Sequence, residues 1–195
     1  MNIEDIKKLR ETTGAGMMDA KAALEEAGGD FDKAIAVLRK KGLAKAAKKA
    51  DRTTAVGVIE SYVHSSKIGV LVEVNCETDF VARTDDFKAF TKDLAMHITA
   101  SNPAYLNPQE IPEDELNKEK DAIKDEVLAS GKPAEVVDKI IEGKLDKWYQ
   151  EVCLSEQSFI KDPDQTIEQL RQALVGKLGE NIVIARFVRF EVGGA

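Results

Sequence analysis

His64, Cys76, Glu77 and Asp79 lie close together in the chain, and a cysteine beside a histidine can act as a nucleophilic pair. The residues around Cys76 argue for another role. In residues 68–83, IGVLVEVNCETDFVAR, the series Ile68, Val70, Val72, Val74 and Cys76 alternates with Gly69, Leu71, Glu73 and Asn75. That is the period of a half-buried β-strand. Cys76 continues the apolar face, so it reads as a core thiol, the usual state of an unpaired cysteine. The chain has no P-loop glycine cradle, no HExxH and no CxxC pair, the patterns that carry phosphate or metal chemistry. Catalysis, a bound metal and a cofactor are therefore not expected. The alternation stops at Glu77-Thr78-Asp79-Phe80, and a helical period starts near Asp85. Asp79 and Phe80 are thus expected in a short strand-to-helix connection, which belongs at the surface. Phe80 could plug the core, but its place outside the strand period favours contact with a partner.

Other candidates are weaker. Lys45, Lys48, Lys49 and Arg52 could touch phosphates. No aromatic residues are interleaved for base stacking, and a solvated connector is the preferred reading. Met17 and Met18 read either as an adaptable binding patch or as packing at a helix start. His64, at a strand end, reads on its own as a surface histidine.

These residues need elements to hold them. Asn2 can cap a helix carrying Ile3, Ile6 and Leu9, broken by Gly14-Ala15-Gly16. A second helix from Met17 carries Ala20, Ala23 and Leu24 and stops at Gly28-Gly29. Asp30 can cap a third with Phe31, Ala34, Ile35 and Leu38 inward, ended by Gly42. Residues 1–42 form a three-helix module, residues 43–53 a basic helical linker, and residues 54–195 a core domain.

In that domain two strands, 54–64 and 67–76, form an antiparallel hairpin around Ser65-Ser66. A helix over 85–101 carries Phe87, Phe90, Leu94 and Ile98. Residues 112–150 read as a helical hairpin, or short coiled coil, turning at Gly131-Lys132-Pro133. Its second arm carries Val136, Val137, Ile140, Ile141, Leu145 and Trp148. A helix over 166–178 and a strand over 181–192 complete the chain. In that strand Ile182, Ile184, Val188 and Phe190 share a face interrupted by Arg186. The class is α+β with a small three-stranded antiparallel sheet.

Composition bounds the function. The 195 residues suit one good core, or a compact domain plus a small accessory one. Apolar content of 43% with 32% charged residues reads as globular and soluble, and no apolar run approaches membrane-spanning length. The first residues, MNIEDIKKLRE, lack the pattern of a secretory or transit peptide. Two cysteines make no disulfide framework, so the cytoplasm is expected. A net charge of −7 argues against direct nucleic-acid binding.

Three blocks carry a family resemblance: LRETTGAGMMDAKAAL at 9–24, EVNCETDFVAR at 73–83 and RFVRFEVG at 186–193. With them the chain resembles the elongation factor Ts family from end to end. The resemblance implies a guanine-nucleotide exchange factor for elongation factor Tu, with an N-terminal module of the ubiquitin-associated type. It implies that Thr78, Asp79, Phe80 and Val81 enter the GTPase near its nucleotide, perturb the magnesium ion and phosphate loop, and promote GDP release. It further implies partner contacts by Arg10, Thr13, Gly14, Gly16, Met17 and Met18.

Two features depart from the family pattern. Ala20 stands where many relatives carry cysteine. Long relatives also have a duplicated core with a second hairpin, whereas this chain has one. Short relatives pair two chains, so a homodimer is expected, in which His64 of one copy serves the GTPase entered by Phe80 of the other. The alternative function is a non-catalytic helical adaptor for peptides or ubiquitin-like partners.

Overall fold

The computed structural model describes residues 2–129 and 134–194. Three helices come first: α1 (Ile3–Thr13), α2 (Met17–Glu26) and α3 (Phe31–Ala47). Strands β1 (Val56–His64) and β2 (Ile68–Cys76) follow, then the single-turn α4 (Asp79–Ala82) and the long α5 (Asp85–Ser101). Helices α6 (Glu113–Ala129) and α7 (Ala134–Val152) make the helical hairpin. The chain ends with β3 (Ser158–Phe159), β4 (Asp162–Thr166), α8 (Ile167–Leu178) and β5 (Ile182–Glu191). The fold is α+β. Its main sheet is antiparallel, in the order β1-β2-β5, and β3-β4 form a separate pair.

Contacts divide the chain into two compact units. The first comprises Met1–Glu60, Glu73–Lys92 and Gln169–Ala185; the second comprises Ser61–Val72, Asp93–Glu168 and Arg186–Ala195.

In the first unit, helix signals in the sequence become caps. The Asn2 side chain accepts from Glu4 N–H, while Asn2 N–H donates to Asp5, closing a capping box. Gly14, at φ 67°, ends α1 in the left-handed conformation. Asp30 caps α3 by accepting from Lys33 N–H at 3.0 Å, and that bond holds its carboxyl below the usual range. The three helices bury Ile6, Leu9, Ala20, Ala23, Leu24 and Ala34 together, with Phe31, Ile35 and Leu38 packed against them. Ala20 is fully buried.

The expected stop at Gly42 is not there. Helix α3 continues through it to Ala47, because the alanines and lysines that follow are strong helix formers and outweigh one glycine. The rest of the expected linker is tied down. Ala46 is buried, Lys49 donates to the Gly179 carbonyl, and Asn181 Nδ2 donates to the carbonyls of Ala50 (3.1 Å) and Arg52 (3.0 Å). At Gly57 a Cβ would collide with the Val74 carbonyl and with Asn75, so only glycine lets β1 pass β2 this closely.

In the second unit, Val70 and Val72 are buried and Leu71 is exposed, as the alternation of β2 requires. Ser65 and Ser66 make the hairpin turn at φ 50° and 56°, with Lys67 N–H donating to His64 O at 2.9 Å. Helices α6 and α7 pack through Ile123, Val127 and Val137, supported by Ile140, Ile141 and Leu145. The turn expected at Gly131-Lys132-Pro133 and the side chain of Val136 lie outside the described residues.

Strand β5 departs from the expected face. Ile182 and Ile184 are buried, but Val188 and Phe190 are exposed, and beyond Ile184 the less exposed positions become Ala185, Phe187 and Arg189. A shift of one residue swaps the two faces of a strand. The Phe187 ring thus takes the more sheltered side, and the Arg189 guanidinium donates to the Thr99 carbonyl of α5.

Candidate functional site

Residues 77–84 join β2 to α5, and neighbours on both sides hold them. Cys76 ends β2 fully buried, its thiol donating to the Thr78 carbonyl at 3.3 Å. Burial pushes that thiol above its ordinary range, with the Glu180 carboxylate adding to the effect. This is a core cysteine, not a nucleophile. His64 closes β1 in the open, its Nδ1 3.2 Å from the Tyr62 hydroxyl.

Thr78 caps α4, its Oγ1 accepting from Val81 N–H at 3.4 Å. In a single helical turn, successive side chains point about 100° apart. Asp79 and Phe80 therefore project outward while Val81 and Ala82 turn inward. Phe80 is 85% exposed and Val81 only 6%. Thr84 then closes the turn. Its hydroxyl donates to Val81 O at 2.8 Å and accepts from Phe87 N–H at 3.3 Å, which starts α5. Thr78, Asp79, Phe80, Arg83 and Thr84 line an open surface depression.

The other side of the connection is held by the segment between α8 and β5. One Glu180 oxygen accepts from Glu77 N–H (3.1 Å) and Thr78 N–H (3.0 Å), and the other from the Thr78 hydroxyl (2.7 Å). Asn181 N–H donates to the Glu77 carboxylate at 2.6 Å, and Arg52 stands 3.4 Å from the same oxygen. The Asn181 bond, with Arg52 assisting, holds the Glu77 carboxyl below the usual carboxylate range. Sequence reasoning missed Glu180 and Asn181, which no local pattern connects to residues 77–78.

The remaining candidates gather at the α1–α2 junction. Arg10 is exposed in the last turn of α1, and its carbonyl accepts from Gly14 N–H at 2.8 Å. The Thr13 hydroxyl donates to Leu9 O at 2.6 Å and accepts from Ala15 N–H at 3.4 Å. Gly16 caps α2 through its backbone alone. Met17 and Met18 follow, both exposed, Met18 at 75%. They are surface residues and not packing at a helix start.

Comparison with known proteins identifies the family. The family profile described as Elongation factor TS matches residues 3–194. Elongation factor Ts of Fervidobacterium nodosum is 58% identical over 189 residues, covering 96% of this chain and 96% of its own. That of Carboxydothermus hydrogenoformans is 56% identical over 189 residues, covering 96% and 87%. That of Caldanaerobacter subterraneus subsp. tengcongensis is 54% identical over 194 residues, covering 99% and 97%. The chain belongs to the elongation factor Ts family, a family of translation elongation factors.

Proposed function

We propose that this chain is a cytoplasmic guanine-nucleotide exchange factor for elongation factor Tu. It binds the GDP form, disturbs the magnesium and phosphate site through residues 78–81, and promotes GDP release. The observation that carries this reading is Phe80: a large apolar ring, 85% exposed, on a turn whose other side is buried. Burying such a side chain is worth about 1.5–3 kcal/mol, a gain Phe80 does not collect within its own fold.

GDP on a GTPase is held largely by magnesium and by backbone N–H groups around the phosphates. A ring pushed in beside those groups displaces the elements that carry them, and the Asp79 carboxylate competes for hydrogen bonds around the ion. Thr78 and Val81 serve from behind, as the cap and the buried anchor of the turn. Exchange follows only if the factor binds the nucleotide-free state more tightly than the GDP state. Arg10, Thr13, Gly14, Gly16, Met17 and Met18 form the second grip on the GTPase, with the exposed methionines as its adaptable part.

The active form is a homodimer engaging two GTPases, with His64 of one copy beside the GTPase entered by Phe80 of the other. In the second unit Leu71, Val188, Phe190 and Val192 are exposed, apolar surface that a second copy would cover.

Release of fluorescent GDP from elongation factor Tu tests the function directly. Acceleration by the unaltered chain and its loss in Phe80→Ala are expected. Binding of elongation factor Tu without any acceleration would instead support the adaptor. Light scattering of the chain mixed with elongation factor Tu should give the mass of two chains with two GTPases, and one chain per elongation factor Tu at full exchange activity would refute the dimer.

A further inference from the structure

We infer that Glu180 is a positioning residue for exchange: its carboxylate fixes the junction from which Asp79 and Phe80 project. The inference rests on the proposed role of Phe80. It assigns a part to a residue about a hundred positions away in sequence that touches neither Asp79 nor Phe80 through any bond described above.

The geometry is that of a clamp. At the junction the chain leaves the β2 ladder and has not yet entered α5, so Glu77 N–H and Thr78 N–H lie beyond the last strand residue. A single Glu180 oxygen takes both, at 3.1 and 3.0 Å. The second oxygen takes the Thr78 hydroxyl at 2.7 Å. That donation orients the hydroxyl, leaving its lone pairs for Val81 N–H at 3.4 Å. Glu180 thereby sets both the path of the backbone into α4 and the cap that closes it. A carboxylate suits the task because it accepts at both oxygens, and charge-assisted bonds to N–H groups are stronger than neutral ones.

The clamp has its own foundation. Gly179 lets the chain turn out of α8 at φ 80°, and its carbonyl accepts from Lys49. Asn181 locks the next residue through its bonds to Glu77, Ala50 and Arg52. Residues 179–181 therefore hold residues 77–78 from one side while buried Val81 and Ala82 hold the turn from below. A wedge works only if its backing does not yield, and a displacement of about 1 Å in a positioned group can cost on the order of a hundredfold in rate.

The conservative variants discriminate this role from general stability. In Glu180→Gln the carbonyl oxygen still accepts both N–H groups, and the amide donates to the Thr78 hydroxyl oxygen, so the clamp survives. In Glu180→Asp the side chain is one methylene short and the clamp opens. The measurement is fluorescent-GDP release from elongation factor Tu by the full chain, with hydrogen exchange at amides 77 and 78 as the local readout.

Glu180→Ala and Glu180→Asp should slow exchange about tenfold or more and lose protection at both amides. Glu180→Gln should stay within about threefold of the unaltered chain. Adding Glu180→Ala to Phe80→Ala should cost less than about threefold further, because a clamp that acts through Phe80 has nothing left to aim. Multiplicative losses in the double variant would overturn the inference, as would full activity in Glu180→Asp. The Asp variant decides if Glu180→Ala does not fold. Phe80→Ala at the unaltered rate would overturn the role of Phe80 and this inference with it. A slow Phe80→Ala beside a normal, folded Glu180→Ala would overturn the clamp alone.

Discussion

Phe80 and Val81 are neighbours with opposite exposure, and on the proposed role truncating each to alanine should separate function from stability at adjacent positions. Phe80 is 85% exposed, so Phe80→Ala removes almost nothing from the folded chain. The expected change in stability is within about 0.5 kcal/mol. For a chain of this length, about 2–4 °C of melting temperature corresponds to 1 kcal/mol, so the midpoint should move by less than about 2 °C. Val81 is 6% exposed under the same turn. Removing its two methyl groups costs about 1.6 kcal/mol at roughly 0.8 kcal/mol per group. A partly collapsed cavity raises that to about 2 kcal/mol, or about 4–8 °C. Function should run the other way. A buried interface anchor commonly contributes about 2 kcal/mol or more, which slows catalysed GDP release roughly 30-fold at about 1.4 kcal/mol per factor of ten. Val81→Ala keeps the Phe80 ring but loosens its backing, so, assayed well below its lowered midpoint, it should slow exchange less than Phe80→Ala does. The assays are thermal melts by circular dichroism and stopped-flow release of fluorescent GDP. A melting loss in Phe80→Ala with exchange intact would show that the ring packs inside and that the wedge does not exist.

Three further outcomes follow from buried His97, the two buried thiols and the Ser65-Ser66 turn. His97 is buried in α5, its Nε2 3.0 Å from Gln157 Oε1 and its Nδ1 accepting from Ile160 N–H, and burial lowers its pKa below 6.5. The unfolded chain therefore takes up a proton below about pH 6.5 that the native state resists, so stability is complete above that pH and declines as pH falls; His97→Gln should flatten the melting temperature between about pH 7 and pH 5.5. Cys153 is buried with its thiol pushed up to about 11, and the buried Cys76 thiol is raised as well, so a thiol-disulfide reagent at about pH 8 should label both only after denaturation. Replacing Ser65-Ser66, both at positive φ, by Asn-Gly should raise the midpoint by about 2–4 °C, since the second position sheds the roughly 1 kcal/mol that left-handed backbone costs a serine but not a glycine.

Elements with a strong local signal were legible. The helix expected over 85–101 is α5 with those bounds, and the alternation of β2 placed Cys76 in the core. The three N-terminal helices followed from Asn2, Asp30 and their glycines. Local signals also misled, each for a physical reason. Gly42 has the composition of a stop but sits among residues that favour helix, and α3 runs on through it. The β3-β4 pair was invisible because SFIKDPDQT carries two aspartates and a proline where alternation would be sought. A proline is tolerated in so short a strand at an edge. In β5 a uniform period placed Val188 and Phe190 with Ile184, whereas the faces exchange one residue later. A shift of that kind is made by the sheet and leaves no mark on composition.

The candidate site shows the same division more sharply. That Phe80 points outward could be argued from the broken strand period, since the ring lies beyond the last alternating residue. That Val81 points inward could not, because one turn of helix carries no periodicity to read. Glu180 was less legible still, as its partners lie about a hundred residues away and its neighbours form an ordinary polar link between helix and strand. In the proposed role, its clamp is what would let an exposed aromatic ring act. A ring on a loose loop would surrender much of its binding energy in becoming ordered, a cost of about 0.5–1.5 kcal/mol for a side chain and more for the backbone beneath it. On residues 77–84 the backbone is already fixed, by Glu180 from the side, by Val81 and Ala82 from below, and by Thr84 at the start of α5. In the proposed exchange role only the Phe80 side chain remains to be ordered, and nearly all the energy of burying it would be available to displace what holds GDP in the partner.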